Sequence, residues 1–181
     1  MKATQLRQFS KIAFTIVLVA VMLALLACMG SSNWEALGAK EDQETLNPLQ
    51  KIFPEAHFYV FDEDTEIYTL YNSSRNKIGY TFYAEGWGYI GEIVVLVGIE
   101  DKETIKGILV VSQDETPSYW RLLVSNYFFY QFGGVEIEKC YINDWAGNGG
   151  QIDAVSRATI SAMGVVNAAR EAALEKIKLI K

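Results

Sequence analysis

The chain is poor in the residues that build disulfide scaffolds and metal centres. Its 181 residues include two cysteines, one histidine and three prolines. Two cysteines are too few for a disulfide framework. Cys28 closes an apolar run and Cys140 lies deep in the globular part, so pairing between them is not expected; Cys140 reads as a buried apolar residue. His57, beside Phe58 and Tyr59, has no companions with ligand spacing and reads as structural. Basic residues are also in short supply, 16 against 22 acidic ones, for a net charge of −6. That balance argues against nucleic acid as a partner and against adhesion to an anionic bilayer surface. No internal repeat and no low-complexity tract is present.

What the chain does have is one long uncharged run. Ile12 to Gly30 reads IAFTIVLVAVMLALLACMG. A helix of that length rises roughly 28 Å, close to the ~30 Å hydrocarbon core of a bilayer. Lys2, Arg7 and Lys11 precede it, and no acidic residue follows until Glu35. By the positive-inside rule, residues 1–11 are expected in the cytoplasm and the rest beyond the membrane. A cleaved signal would have a shorter apolar core and an A-x-A-like exit. Leu25-Leu26-Ala27-Cys28 also looks like a lipoprotein processing box, in which Cys28 would carry the lipid. A retained transmembrane helix over 12–30 fits the length best, and all three readings place the remainder outside the cytoplasmic membrane.

Residues 31–44 read as a polar tether and 45–181 as one domain. Thr45 to Phe53 has a short helical pattern ended by Pro54. His57 to Phe61 and Ile67 to Tyr71 read as partner strands, with a turn at 72–76 and a third strand over Lys77 to Ala84. Glu92 to Ile99 and Thr104 to Val111 form a hairpin of largely buried strands. Thr116-Pro117 supplies an N-cap and a proline suited to the first helical position. Behind it Trp120, Leu123, Val124, Tyr127 and Phe128 fall on one helical face, up to Gly133-Gly134. Val135 to Tyr141 reads as a strand and 144–150 as a loop. A helix from about Ser161 to Ile180 carries an apolar stripe of Val166, Ala169, Ala173, Ile177 and Ile180. Strands dominate without βαβ alternation, so the class is α+β, with a mainly antiparallel sheet and flanking helices.

The chemistry concentrates in Asp153-Ala154-Val155-Ser156-Arg157-Ala158-Thr159, just before the last helix. Small polar residues and a threonine hydroxyl at a helix N-terminus suit a phosphate, because unpaired N–H groups and the positive end of the helix dipole converge there. Taken alone, Ser-x-Ala-Thr before a helix is most often only a cap.

The heptad resembles the Asp-x-x-Ser/Thr-Gly-Ala-Thr signature on which flavin transferases attach FMN through a phosphoester. The family is the FMN-binding domain of the G subunit of Rnf electron-transport complexes, related to the C subunit of sodium-pumping NADH:quinone reductases. LNPLQKIFPEA, Gly-Trp-Gly-Tyr-x-Gly-x-Ile, Val-Gly-Ile-Glu and Ser-Gln-Asp-Glu-Thr-Pro resemble further landmarks of that family, in its order, across most of residues 45–175. The resemblance implies covalent FMN on Thr159, with Ser156, Ala158 and Ser161 around the phosphate and backbone N–H groups of Ser161 to Gly164 solvating it. Asp153 would be read by the transferase or would orient the loop. Glu115 and Thr116 resemble the family's Glu-Thr-Pro-Gly loop beside the isoalloxazine, although Ser118-Tyr119-Trp120 replaces the glycine-rich continuation. Gly88 and Gly91 would permit close backbone approach, and Trp87 and Tyr89 would wall the flavin pocket.

Arg157 stands where the family usually has glycine. If the position needs a positive φ, an arginine there is strained and flavinylation is put in doubt. If φ is ordinary, the guanidinium can pair with the phosphate. The resemblance implies an electron-carrier subunit of an ion-translocating complex, with other complex subunits, the membrane and a flavin transferase as partners and no catalysis by this chain alone. Two other readings stay open: another membrane-anchored flavoprotein, in a sodium-pumping quinone reductase or in extracellular electron transfer, and an FMN-free structural subunit.

Overall fold

Among the described residues, every strand after the first pairs with the strand that precedes it in sequence. The computed structural model describes residues 37–143 and 147–180, and the fold below is the unit Lys40–Lys181. The apolar run at 12–30, Cys28 and the flanking basic residues lie outside the described residues. Among the described residues no helix is long and apolar enough to cross a membrane.

Six strands follow one another across a single antiparallel sheet: β1 Phe58–Asp62, β2 Ile67–Tyr71, β3 Lys77–Trp87, β4 Glu92–Ile99, β5 Thr104–Gln113 and β6 Val135–Glu136. Short connections of turn-forming residues produce this meander, because sequential strands joined by tight turns pair with each other. Three α-helices flank it: α1 Gln43–Gln50, α2 Pro117–Ser125 and α3 Thr159–Lys176. The expected α+β class with an antiparallel sheet and flanking helices is what the described residues form.

The sheet buries both faces. Alternate residues of β4 point opposite ways. Ile93, Val95 and Val97 join Phe82 and Ala84 of β3 beneath Ala162, Val165, Val166, Ala169 and Ala173 of α3. Leu96 faces the other layer, where Leu46 and Leu49 of α1 meet Ile52, Phe53, Tyr59 and Leu70. Gly98 makes room there, since a Cβ on it would lie 2.5 Å from Ile52 Cγ2. Asp42 caps α1, accepting the Thr45 N–H at 3.0 Å and the Tyr59 hydroxyl. Nearby, Lys40 and Tyr59 exchange two backbone hydrogen bonds of 2.8 and 2.9 Å.

Several elements depart from the sequence pattern. Helix α1 starts two residues earlier than expected, because Asp42 supplies the cap, and stops at Gln50, before Pro54 excludes the helical conformation from its predecessor. Strand β3 runs on to Trp87 and β5 to Gln113. Helix α2 ends at Ser125: Asn126 Nδ2 donates to the Leu122 carbonyl at 2.7 Å, and Tyr127 takes a left-handed φ of 55°. Side-chain capture of a helical carbonyl ends the helix there, so Tyr127 leaves the expected stripe and is exposed; Val124, still within α2, is exposed as well. A 3-10 turn over Phe128–Phe132 follows and buries Phe128 and Phe132. The expected strand from Val135 to Tyr141 shortens to two residues, then a 3-10 turn over Ile137–Lys139. Glu136 already pairs with Thr104, the first residue of β5, so no strand remains to pair with further residues. Cys140 is fully buried, as its apolar character suggests.

Candidate functional site

Three distant segments meet at one buried carboxylate. The first is the β3–β4 hairpin, closed by Gly88 N–H donating to the Gly91 carbonyl at 2.9 Å. The second is the loop after β5, where Gln113 Oε1 accepts the Glu115 N–H at 2.7 Å. The third is the first turn of α3. Glu115 is 5% exposed. Its Oε1 accepts the Ile90 N–H at 3.1 Å and its Oε2 accepts the Ser161 hydroxyl at 2.8 Å. A buried carboxylate is tolerable only when hydrogen-bonded, and this one also lies at the positive end of a helix.

Glycine makes the convergence possible. A Cβ on Gly88 would stand 2.0 Å from Glu115 Oε1, and one on Gly91 would stand 2.5 Å from the Asp114 carbonyl. A Cβ on Gly164 of α3 would meet the Trp87 carbonyl at 2.7 Å, and one on Gly86 would meet the Gly164 carbonyl at 2.6 Å. The close backbone approach expected at Gly88 and Gly91 is therefore present, and it extends to α3.

The segment leading into α3 is anchored from another direction. Gln131 accepts the Asp153 N–H at 2.8 Å and donates to the Asp153 carbonyl at 3.2 Å. Asp153 thus contributes to loop orientation through its backbone, and its carboxylate side chain is exposed. Val155 and Ala158 are buried beneath, with the Ala158 N–H donating to the Val155 carbonyl at 3.0 Å. Arg157 takes a φ of 69°. This left-handed conformation costs an L residue roughly 1–2 kcal/mol and glycine essentially nothing. Of the two possibilities for this position, the strained one holds.

Thr159 is the first residue of α3, exposed, with its hydroxyl 3.4 Å from the Val155 carbonyl. The helix starts two residues earlier than the sequence suggested, which changes the available donors. The N–H groups of Thr159, Ile160 and Ser161 have no intrahelical acceptor, as in any first turn. Ala162 N–H already bonds the Ala158 carbonyl at 2.9 Å. The donors expected at Ser161 to Gly164 therefore shift to Thr159 to Ser161.

A cavity of 280 Å³ opens at this point, lined by Tyr89, Tyr119, Arg157, Ala158, Thr159, Ile160 and Ser161. The Tyr89 and Tyr119 rings meet edge to face with centroids 5.6 Å apart. Of the residues singled out from sequence, Tyr89, Arg157, Ala158, Thr159 and Ser161 line the cavity. Glu115 lies buried against Ser161, Thr116 caps α2 without a side-chain bond, and Trp87 and Ser156 are exposed outside the lining. Trp120 packs on Phe129, with centroids 5.3 Å apart, away from the cavity. Sequence reasoning passed over Ile160 and Gln131. An apolar residue just inside the last helix could have pointed to Ile160, whereas nothing local ties Gln131 to a loop 22 residues away.

The residues present fit a flavin mononucleotide. Small-molecule sites span ~300–1,000 Å³, so this cavity suits the phosphate end. Of its lining residues, Tyr89 and Ile160 are 54% and 52% accessible, leaving apolar surface exposed at the cavity's mouth. A larger groove of 550 Å³, lined by residues such as Phe61, Tyr83, Glu85 and Glu171, holds none of the motif residues. Among the described residues no group of His, Cys, Asp and Glu could hold a metal ion.

Comparison with known proteins identifies the domain. The FMN-binding domain family matches residues 88–174, a stretch that includes the hairpin glycines, Glu115 and Thr159. The G subunit of the ion-translocating oxidoreductase complex of Methanosarcina acetivorans is 31% identical over 178 residues, covering 92% of this chain and 93% of that one. The corresponding G subunit of Vibrio cholerae is 28% identical over 182 residues, covering 84% and 86%. The crystal structure of Shewanella oneidensis NqrC aligns with a TM-score of 0.50 at 20% identity, over 62% of this chain and 60% of that one, and shares the fold. With a relative this similar across nearly its whole length, the chain belongs to the family of G subunits of ion-translocating oxidoreductase complexes and carries that family's FMN-binding domain.

Proposed function

We propose that this chain holds FMN as a phosphoester on Thr159 and relays electrons within an Rnf-type ferredoxin:NAD oxidoreductase that pumps ions. The observation that carries this reading is the position of Thr159: an exposed threonine at the first position of α3, lining a cavity with free first-turn donors. Thr159 Oγ would form the bond to phosphorus. Ala158 and Ser161 would shape the phosphate pocket, with Ser156 at its rim. Thr116, Trp87 and Tyr89 would border the ring, and Glu115 would brace the site from below.

The bound group would supply redox chemistry, and the protein's own part is to position it and tune its potential. Among the described residues the Thr159 hydroxyl meets a backbone carbonyl and no side chain that could act as a base. Attachment therefore needs a separate flavin transferase, for which the exposed Asp153 carboxylate is a ready recognition mark. The apolar run at 12–30, retained as a transmembrane helix, would keep the domain outside the cytoplasmic membrane beside its partner subunits.

Intact mass of the full chain, made with a flavin transferase, tests the assignment. We expect an increment equal to FMN less one water, lost together with in-gel flavin fluorescence in Thr159→Val. Apoprotein mass alone would favour the FMN-free structural subunit. Fluorescence persisting in Thr159→Val would move the anchor elsewhere.

A further inference from the structure

We infer that Arg157 is the counter-cation this chain provides for the phosphate on Thr159, and the residue that makes its site prefer phosphorylated flavin. The inference rests on the FMN reading above and adds a role the glycine usual at this position could not perform.

The argument is one of charge balance. Glu115 already brings a buried negative charge to the first turn of α3 through Ser161. A phosphodiester on Thr159 brings a second within the same turn. The N-terminus of a helix offers only about half a positive charge, and it cannot neutralise two anions. Arg157 is the one cation among the cavity's lining residues. Among the described residues it forms no ion pair, so its guanidinium is not committed to a neighbouring carboxylate. Its backbone sits at a φ of 69°, where glycine would be free of strain. That strain lies in the backbone and leaves the long side chain free to reach the cavity it lines, where a charge-assisted, fork-shaped contact to phosphate oxygens is what arginine does best.

The test uses the full-length chain produced without transferase, in a Thr159→Val background so that binding stays reversible. FMN and riboflavin, which differ only in the phosphate, are titrated against Arg157, Arg157→Gln and Arg157→Gly forms, and the melting temperature of each is recorded. We expect the preference for FMN over riboflavin to fall by about tenfold in both variants, the worth of one charge-assisted hydrogen bond. Riboflavin affinity should stay unchanged, and Arg157→Gly should melt higher than its parent. An FMN-to-riboflavin ratio unaffected by the substitutions overturns the inference while leaving the flavin reading intact. Tighter FMN binding by Arg157→Gly also overturns it, by showing Arg157 to be an obstruction. Apoprotein mass after maturation of the unsubstituted chain with transferase overturns both readings together.

Discussion

The Ser161 hydroxyl donates to Glu115 Oε2 at 2.8 Å in a buried hydrogen bond that spans 46 positions of sequence. It fastens the first turn of α3 to the loop that starts α2. Removing the hydroxyl leaves a buried carboxylate oxygen without its partner, a loss of roughly 1.5–3 kcal/mol for a bond to a charged group. Ser161→Ala is therefore expected to lower the unfolding free energy of the full chain by about that amount in urea titration. An unchanged midpoint would mean that the bond adds nothing.

Gly164→Ala sets two effects against each other. Alanine is favoured over glycine inside a helix by ~1 kcal/mol, but its Cβ would lie 2.7 Å from the Trp87 carbonyl and 3.0 Å from Gly88 Cα. Neither backbone atom can move without displacing the hairpin. Overpacking costs ~1–3 kcal/mol, so the net change is a destabilisation. Alanine at exposed Asn167, one turn along the same helix, is the control that should be neutral or stabilising.

The α1 cap gives the stability curve two titrating limbs. The hydrogen bond from Tyr59, then that from the Thr45 N–H, holds the Asp42 carboxyl below its ordinary value. A depressed folded-state pKa stabilises above the unfolded value near pH ~4, and that contribution is lost as pH falls through the folded value. Burial, then Asp42, pushes the Tyr59 phenol above its ordinary value of 10.0. Its contribution is present below that value and is lost as pH rises through the folded one. Tyr59→Phe should flatten both limbs of a urea midpoint plotted against pH, whereas Asp42→Asn should remove the acid limb and lower stability at neutral pH.

Burial pushes the Cys140 thiol up to about 12. Only the thiolate is a strong nucleophile, so the folded protein should resist iodoacetamide at Cys140 through pH ~9. Peptide mapping should find that residue alkylated only after denaturant is added. Labelling of native protein at a rate set by pH alone would show the site to be open.

Much of the fold was legible in the sequence because its signals are local. Ile67 to Tyr71 alternates as a strand should, and it forms β2 with those bounds. Thr116-Pro117 marks the start of α2. The end of that helix was not legible, since it depends on Asn126 reaching back to Leu122. Nor was the shortness of β6, which reflects where its partner strand begins. At the site, the motif brought Tyr89, Arg157, Ala158, Thr159 and Ser161 to one cavity. The conformation of Arg157 could not be read from a sequence compatible with either φ, and the clasp by Gln131 joins residues with no sequence relationship.

At Gly86 and Gly164 the backbones of α3 and the β3 end of the hairpin meet with no side chain between them, beside the packed layer of Phe82, Ala84, Val165 and Ala169. Such a joint has one register: sliding the helix by a single residue would drive a Cβ into a carbonyl. A redox group hung from Thr159 would therefore keep its distance from the hairpin whichever oxidation state it held. Electron exchange there would demand little rearrangement of the protein, which lowers the reorganisation barrier before any partner arrives.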